Sequence, residues 1–180
     1  MLKIIIGRSP ITAKLVDTLS RLLMRDTRLL IATDHVIRET GSPIGVVLLS
    51  AGEDTAIEDA GSILLLPRAA ALPIIRAPLT LVADSARDTW PGQFAGELIS
   101  CGRSAKDTLT LSSHTEDSAV VTLVRQMRDL SGRVVEPCEF PVLLLGGDPF
   151  VAFAAVSVLL LTGRIGLLSE IGYSANNLQL

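Results

Sequence analysis

The first thirty residues combine an apolar run with a helical repeat. Residues 2–6 are apolar apart from Lys3, and the run ends at Gly7; such a segment is typical of a strand covered on both faces. Over residues 11–23, apolar side chains recur three and four positions apart and charged side chains fall on the opposite side. Ser9 as the cap and Pro10 in the first turn predict where this helix begins. This order of elements predicts the start of a parallel α/β sheet.

Four further apolar runs predict more strands of the same sheet. They are short, rich in aliphatic residues and bounded by glycine, proline or polar residues; they cover residues 28–32, 44–49, 62–66 and 79–83. Between them we expect two helical turns within residues 53–60. Residues 68–78 contain two prolines, which predict a loop or a broken helical turn.

From about residue 100 the pattern changes to an alternation of polar and apolar positions. Residues 108–111 and 119–124 alternate, and short aliphatic runs follow at 134–135 and 142–144. Such segments, separated by turns, are typical of antiparallel ribbons with one solvated face. The C-terminal half is therefore predicted to carry an antiparallel excursion.

The last apolar run predicts a helix that closes the fold. It extends over about residues 149–162, with Asp148 as its N-cap and Gly163 at its end. The predicted fold class is α/β, with a mainly parallel sheet flanked by helices and an antiparallel β-ribbon excursion in the C-terminal half. We expect a single domain over residues 1–168 and a polar C-terminal tail over residues 169–180.

Composition and charge exclude some classes of function. Aromatic residues make up only 3% of the 180-residue chain and the net charge is −3, so we expect no nucleic-acid partner. The longest apolar run, residues 150–161, is shorter than the roughly 20 residues that span a bilayer, so we expect no membrane partner. Two distant cysteines and the absence of a leader-like start predict a reduced, cytoplasmic location.

Several motifs follow one another in the second half of the chain. The strand over residues 79–85 ends in Asp-Ser, and residues 101–102 are Cys-Gly. This order resembles the central ATP-binding domain of the Mur ligases and of their folylpolyglutamate synthase relatives, in which the strand carries an Asn-x-Asp-Asp-like motif and a Tyr-Gly pair follows. A β-ribbon follows, and the closing helix keeps the Phe-Ala-Ala of residues 153–155. The resemblance covers about residues 79–166 and is only weak over residues 1–30. It implies the fold of that domain.

The phosphate loop of that family, similar to Thr-Gly-Thr-Asn-Gly-Lys-Thr, is where this chain departs from the resemblance. Gly7 matches the first glycine and Thr12 the last hydroxyl residue, but the second glycine falls on Pro10 and the lysine on Ile11. A phosphate loop needs backbone N–H donors and a cation; Pro10 has no N–H and Ile11 has no charge. Asp148 replaces a residue that touches adenine in the family. The sequence therefore predicts that ATP binding is lost and that no cofactor is held.

Two functional hypotheses follow, from different classes. The first is a non-catalytic binding or assembly module, which pairs with itself as a homo-oligomer or with another protein through the ribbon face or an exposed sheet edge. A candidate recognition surface, for a protein partner or an anionic ligand, is formed by Arg103, Ser104 and Lys106. The alternative is a small enzyme or sensor that binds an anionic metabolite where the parallel strands end. Its candidate ligand-binding residues are Arg8, Ser9, Thr12, Asp34, His35, Asp84, Ser85 and Asp148.

Each candidate also has a simpler structural interpretation. Ser9 caps a helix beside a solvated Arg8, Asp34 and His35 form a polar loop end, and residues 100–113 form a solvated hairpin. Cys101 is the best candidate nucleophile, but we prefer its interpretation as a small buried hydrophobic residue, because no histidine lies at a position that indicates a base. No cysteine or histidine pair has a metal-ligand spacing. We therefore expect no metal and no catalytic residue, and the sequence leans away from an enzyme.

Overall fold

A computed structural model of the chain describes residues 2–23, 28–32, 37–40, 44–92, 94–115, 118–143 and 147–167. The chain divides into two compact units, residues 1–99 and 100–180. The described elements of the first unit are β1 (Leu2–Gly7), α1 (Thr12–Leu23), β2 (Arg28–Ala32), β3 (Ile37–Thr40), β4 (Ile44–Ala51), β5 (Ala56–Ile57), β6 (Ile63–Leu66), β7 (Ile74–Ile75), β8 (Leu79–Asp84) and most of β9 (Gly96–Gly102). Those of the second unit, after the end of β9, are β10 (Leu109–His114), β11 (Ser118–Leu123), β12 (Met127–Arg128), β13 (Val134–Val135), β14 (Cys138–Leu143), α2 (Pro149–Leu161) and a 3₁₀ turn (Ile165–Leu167).

A parallel sheet forms the centre of the first unit. Its strands lie in the order β8-β6-β1-β4-β2 and every pairing among them is parallel. The central strand places Ile4 between Leu48 and Ile63, and its consecutive residues 4–6 are all buried. Burial of consecutive side chains means that both faces of the strand are covered. The predicted fold class, with a mainly parallel sheet, is confirmed.

Helix α1 uses the apolar stripe that the sequence indicates. Leu15, Leu19 and Leu23 are fully buried at four-residue spacing, and the helix lies against β1, β2 and β4. Polar side chains occupy its other side, where Arg21 pairs with Asp17 at 3.1 Å. The helix is therefore positioned by aliphatic packing against the sheet.

The helical turns expected within residues 53–60 are wrong. Residues 53–54 form a turn, and β5 then pairs in parallel with β7, placing Ile57 opposite Ile75. Ile57 is buried in the apolar core and Ile75 packs against that core. The two β-branched side chains suit a short bridge. Of the residues three or four positions from Ile57, Ala60 alone is apolar, and it is small and exposed, so the segment lacks the apolar stripe that would favour a helix. Part of the loop expected over residues 68–78 is thus a strand.

An antiparallel ribbon dominates the second unit, as expected. β11 pairs antiparallel with β10 on one side and with β14 on the other, so that Val121 lies opposite Leu111 and Phe140. Along β11 the buried residues alternate, with Ala119, Val121 and Leu123 pointing to the same covered face. The alternation of polar and apolar residues in the sequence therefore corresponds to a strand with one buried face.

The solvated hairpin expected over residues 100–113 is wrong. β9 and β10 are parallel and pair over two residues of each strand, with Cys101 opposite Leu109 and Gly102 opposite Thr110. The chain makes a tight turn between them, and the N–H of Thr108 returns to the carbonyl oxygen of Ser100 at 2.9 Å. Polar turn residues alone did not distinguish this staggered parallel step from a hairpin.

Helix α2 begins and ends as the sequence predicts. The carboxylate of Asp148 accepts the N–H of Phe150 at 2.9 Å, and Gly163 just after the helix has a φ of 68°, a conformation that favours glycine. Residues 150–161 are all buried, and the helix packs on β11 and β14. Of the helices described, none combines the length and the apolar character that crossing a membrane requires.

Candidate functional site

The loop after β1 starts at the carboxyl edge of the parallel sheet, where ligands commonly bind in α/β folds. The N–H of Arg8 donates to the carbonyl of Ala51 at the end of β4, at 2.7 Å. The carbonyl of Arg8 accepts the N–H of Ala71 from the loop after β6, at 2.9 Å. The backbone of this loop is therefore held between two neighbouring segments of its own unit.

The start of α1 satisfies its polar groups internally. The N–H of Ser9 donates to Oγ1 of Thr12 at 2.8 Å, and the two hydroxyl oxygens lie 3.2 Å apart. The Thr12 hydroxyl also donates to the carbonyl of Gly7 at 3.4 Å, while the N–H of Thr12 donates to the carbonyl of Ser9 at 3.1 Å. This is one half of a capping box, in which a side chain three residues on accepts the N–H of the capping residue.

Gly7 lies in close contact with the loop after β6. A Cβ atom added to Gly7 would lie 2.7 Å from Cδ2 of Leu66 and 3.0 Å from Cβ of Ala70. At Gly52 the contact is looser, since the same construction places Cβ 3.4 Å from Cζ of Arg8. The guanidinium of Arg8 therefore lies over Gly52, at the edge where β1 and β4 end.

A buried arginine fixes the next part of this edge. Arg87 is 5% exposed, and its guanidinium donates to the carbonyl of Ala70 at 2.9 Å and to that of Pro67. Its Nε donates to the carbonyl of Thr89 at 3.2 Å. One side chain thus ties the segment after β8 to the segment after β6.

The electrostatics of Arg87 follow from its burial. Desolvation lowers the pKa of the Arg87 guanidinium, and the nearby charge of Asp84 opposes that shift. The Asp84 carboxylate also accepts the N–H of Ala86 at 2.8 Å. Sequence reasoning missed Arg87, although an Asp-x-x-Arg spacing directly after a buried strand was a usable signal.

The structure brings together some of the predicted ligand-binding residues. Arg8 and Ser9 lie in the loop after β1, and Thr12 begins α1. Asp84 ends β8 and Ser85 follows it; β6 separates β8 from β1 in the sheet. Asp148 lies in the second unit, where it caps α2. Asp34 and His35 lie outside the described residues. The hydroxyls of Ser9 and Thr12 are turned to each other, which matches the capping interpretation.

The predicted recognition surface lies on the turn between β9 and β10. Arg103, Ser104 and Lys106 are exposed, whereas Asp107 is 4% exposed. The carboxylate of Asp107 accepts the N–H of Ser104 at 3.0 Å, and the N–H of Asp107 returns to the carbonyl of Ser104 at 3.0 Å. A buried carboxylate therefore closes the turn and holds its basic residues at the surface.

A second buried carboxylate organises the turn between β12 and β13. Asp129 accepts the N–H and the hydroxyl of Ser131, at 2.8 and 2.6 Å, and the N–H and Nε of Arg133, at 2.9 and 2.8 Å. The Ser131 hydroxyl contributes most to lowering the pKa of Asp129, from 3.8 to about 2. The N–H of Leu130 donates to the carbonyl of Leu161 at 2.9 Å. The turn is thereby attached to the last turn of α2.

Asp129 is expected to make part of the stability depend on acid pH. Its folded-state pKa is depressed, so its contribution is complete above the ordinary pKa of 3.8 and is lost as pH falls towards about 2. We expect the stability gap between the wild type and Asp129→Asn to narrow over that window. Urea unfolding of both proteins at a series of pH values measures the gap. A gap that stays constant as the pH drops would contradict this assignment.

The two cysteines occupy different environments. Cys101 is fully buried in β9, which matches the interpretation as a small hydrophobic residue and leaves its sulfur inaccessible to a substrate. Cys138 is exposed at the start of β14 and donates to the carbonyl of Glu136 at 3.2 Å. Desolvation raises the pKa of the Cys138 thiol, which disfavours the reactive thiolate.

Two comparisons with known proteins find no match. A scan against models of protein families finds no match to this chain, and a search of curated proteins finds none either. Within the described segments, His, Cys, Asp and Glu side chains nowhere gather in groups of three or more that could hold a metal ion. The contacts given above are therefore the basis for a functional proposal.

Proposed function

We propose that this chain is a non-catalytic binding or assembly module on a scaffold similar to the Mur ligase central domain, and that it does not bind ATP. The observation that carries the proposal is the internal use of the polar groups in the loop after β1. A phosphate loop leaves several backbone N–H groups directed at the anion. In this chain, N–H groups of the corresponding segment donate to acceptors within the protein.

Three backbone N–H groups of this segment donate to acceptors within the protein. The N–H of Arg8 is taken by Ala51, that of Ser9 by the Thr12 hydroxyl, and that of Thr12 by the carbonyl of Ser9. Pro10 has no N–H to donate. A nucleotide that bonded to these three N–H groups would first have to break the existing bonds, each contributing roughly 0.5–1.5 kcal/mol.

Charge supports the same proposal. The triphosphate of ATP needs a cation beneath it, and the position that matches the phosphate-loop lysine holds Ile11. The nearest arginine in the loop, Arg8, extends over Gly52 instead. Close packing of Gly7 against Leu66 and Ala70 also leaves the loop little room to reshape.

The alternative, an anionic metabolite bound at the strand ends, has one observation in its favour. Arg8 and Arg87 both lie at the carboxyl ends of the parallel strands, where such ligands gather. However, the Arg87 guanidinium is committed to carbonyls of its own unit, and Ser9 and Thr12 bond to each other. We therefore rank this alternative second.

Addition of millimolar Mg-ATP is expected to leave the melting temperature unchanged. A ligand that binds only the folded state at one hundred times its Kd stabilises that state by about 2.7 kcal/mol, which a thermal-shift assay detects readily. Phosphate and sulfate added separately test the alternative, because they would raise the melting temperature if an anion site were present at the strand ends. A saturable rise with Mg-ATP would contradict the proposed loss of nucleotide binding.

A further inference from the structure

The turn between β9 and β10 gathers more positive charge than its own sequence indicates. Arg103 and Lys106 stand on the turn itself, and Arg125, which follows β11, reaches it from a distant part of the chain. The guanidinium of Arg125 donates to the carbonyl of Lys106 and, at 3.4 Å, to that of Asp107. Three exposed cations therefore belong to one site, which we name the basic turn.

The basic turn has a fixed backbone. The Asp107 carboxylate closes it on the N–H of Ser104 at 3.0 Å, and the Ser104 hydroxyl accepts the N–H of Lys106 at 3.2 Å. At its end, the carbonyl of Thr108 accepts the N–H of Val124 at 3.0 Å. A turn held at both ends presents its side chains with little loss of backbone entropy on binding.

Ion pairing distinguishes the cations of the basic turn from some of the other cations of the described residues. Lys3 pairs with Asp59 at 2.6 Å, Arg21 with Asp17 at 3.1 Å, Arg76 with Glu58 at 3.0 Å and Arg133 with Asp129 at 2.8 Å, whereas Arg68 and Arg128 form no ion pair within the described residues. Across the described segments, Arg103, Lys106 and Arg125 form no ion pair, and the only bonds of Arg125 go to backbone carbonyls. The one carboxylate of the turn, Asp107, is 4% exposed and accepts the N–H of Ser104, so the exposed charged side chains of the turn are all positive. Such a surface favours a partner that supplies negative charge.

We propose that the basic turn, formed by Arg103, Lys106 and Arg125, is a recognition surface for an acidic peptide segment of a partner protein. This rests on the proposed function as a binding module and names the partner that such a module would take. Arginine binds carboxylates through two parallel N–H donors, and separate exposed cations suit a row of carboxylates. A small anion instead needs donors that converge in a concave site. The aromatic content of 3% and the net charge of −3 disfavour a nucleic acid.

The test uses a fluorescein-labelled peptide of alternating glutamate and glycine, titrated with the full chain at low salt and followed by fluorescence anisotropy. We expect saturable binding that weakens as salt is added, because exposed charges are screened. The variant R103E/K106E is expected to bind at least about tenfold more weakly. The control R68E/R76E makes the same change in net charge on exposed residues of the first unit and is expected to bind like the wild type. Melting temperatures confirm that both variants are folded.

Several outcomes would overturn the proposal. The first is an equal loss of peptide binding in both variants, which would indicate that net charge alone governs binding. The second is the absence of peptide binding by the wild type at low salt. Tighter binding of a labelled single-stranded DNA of equal charge, or full competition by inorganic phosphate, would assign the turn to a different ligand. The proposed function is tested separately, because Mg-ATP binding would contradict it whatever the peptide does, and failure of the peptide leaves the ATP result unchanged.

Discussion

Replacement of Arg87 by alanine is expected to lower the free energy of unfolding by about 3 kcal/mol. The guanidinium is 5% exposed and bonds the carbonyls of Pro67, Ala70 and Thr89. Its removal leaves buried acceptors without donors and opens a cavity between two segments, and each effect is costly. Urea unfolding followed by circular dichroism measures the loss, provided that the slope with denaturant is unchanged.

Two companion variants sharpen the test of Arg87. Arg87→Lys keeps the charge but offers donors from a single nitrogen. We therefore expect it to recover only a minor part of the free energy of unfolding that is lost in Arg87→Ala. Arg68→Ala removes an exposed arginine side chain from the same edge and is expected to change stability by less than about 0.5 kcal/mol. If Arg87→Ala were as stable as Arg68→Ala, Arg87 would not be the side chain that holds this edge together.

Replacement of Gly7 by alanine is expected to cost about 1–3 kcal/mol. The added methyl group would lie 2.7 Å from Cδ2 of Leu66 and 3.0 Å from Cβ of Ala70. Leu66 is fully buried and cannot turn away without disturbing the core. Because Gly7 also accepts the Thr12 hydroxyl, the start of α1 is expected to loosen. Thermal unfolding, supported by amide hydrogen exchange of α1, measures both effects.

Gly52→Ala is the matched control for Gly7. It adds the same methyl group at the same edge of the sheet, but the nearest atom is Cζ of Arg8 at 3.4 Å, at the end of a flexible side chain. We expect a change within about 0.5 kcal/mol, since alanine also reduces the entropy of the unfolded chain. Equal losses in the two variants would show that general loop sensitivity, and not the contact with Leu66, governs the effect.

The parts of the fold that the sequence predicted correctly are those with a simple physical pattern. Residues 4–6 are apolar, are buried on both faces and lie in the central parallel strand, and Leu15, Leu19 and Leu23 repeat at helical spacing and are buried in α1. Asp148 before Pro149 sets the start of α2. In each case local preference and tertiary burial favour the same structure.

The parts that sequence reasoning got wrong depend on contacts between distant residues. The strand at Ile57 exists because Ile75 pairs with it, and no local pattern marks two-residue strands. Likewise, β9 and β10 pair in parallel across the turn after Gly102, because the N–H of Thr108 donates to the carbonyl of Ser100. Turn residues report that the chain reverses but not which strand it meets next.

The candidate site shows the same division. The missing lysine at Ile11 and the missing N–H at Pro10 are visible in the sequence, whereas the acceptors of the neighbouring N–H groups, Ala51 and the Thr12 hydroxyl, are known only from the fold. Arg125 could not be assigned to the basic turn from sequence, because it lies 19 residues from the Lys106 carbonyl that it contacts.

Isothermal titration calorimetry of the purified chain with Mg-ATP tests the central claim most directly. If the loop after β1 uses its own donors and lacks a cation, titration to millimolar nucleotide will give only the heat of dilution. A saturable heat with one nucleotide per chain, abolished by a change at Arg8, would show that this loop still holds a triphosphate and would contradict the account.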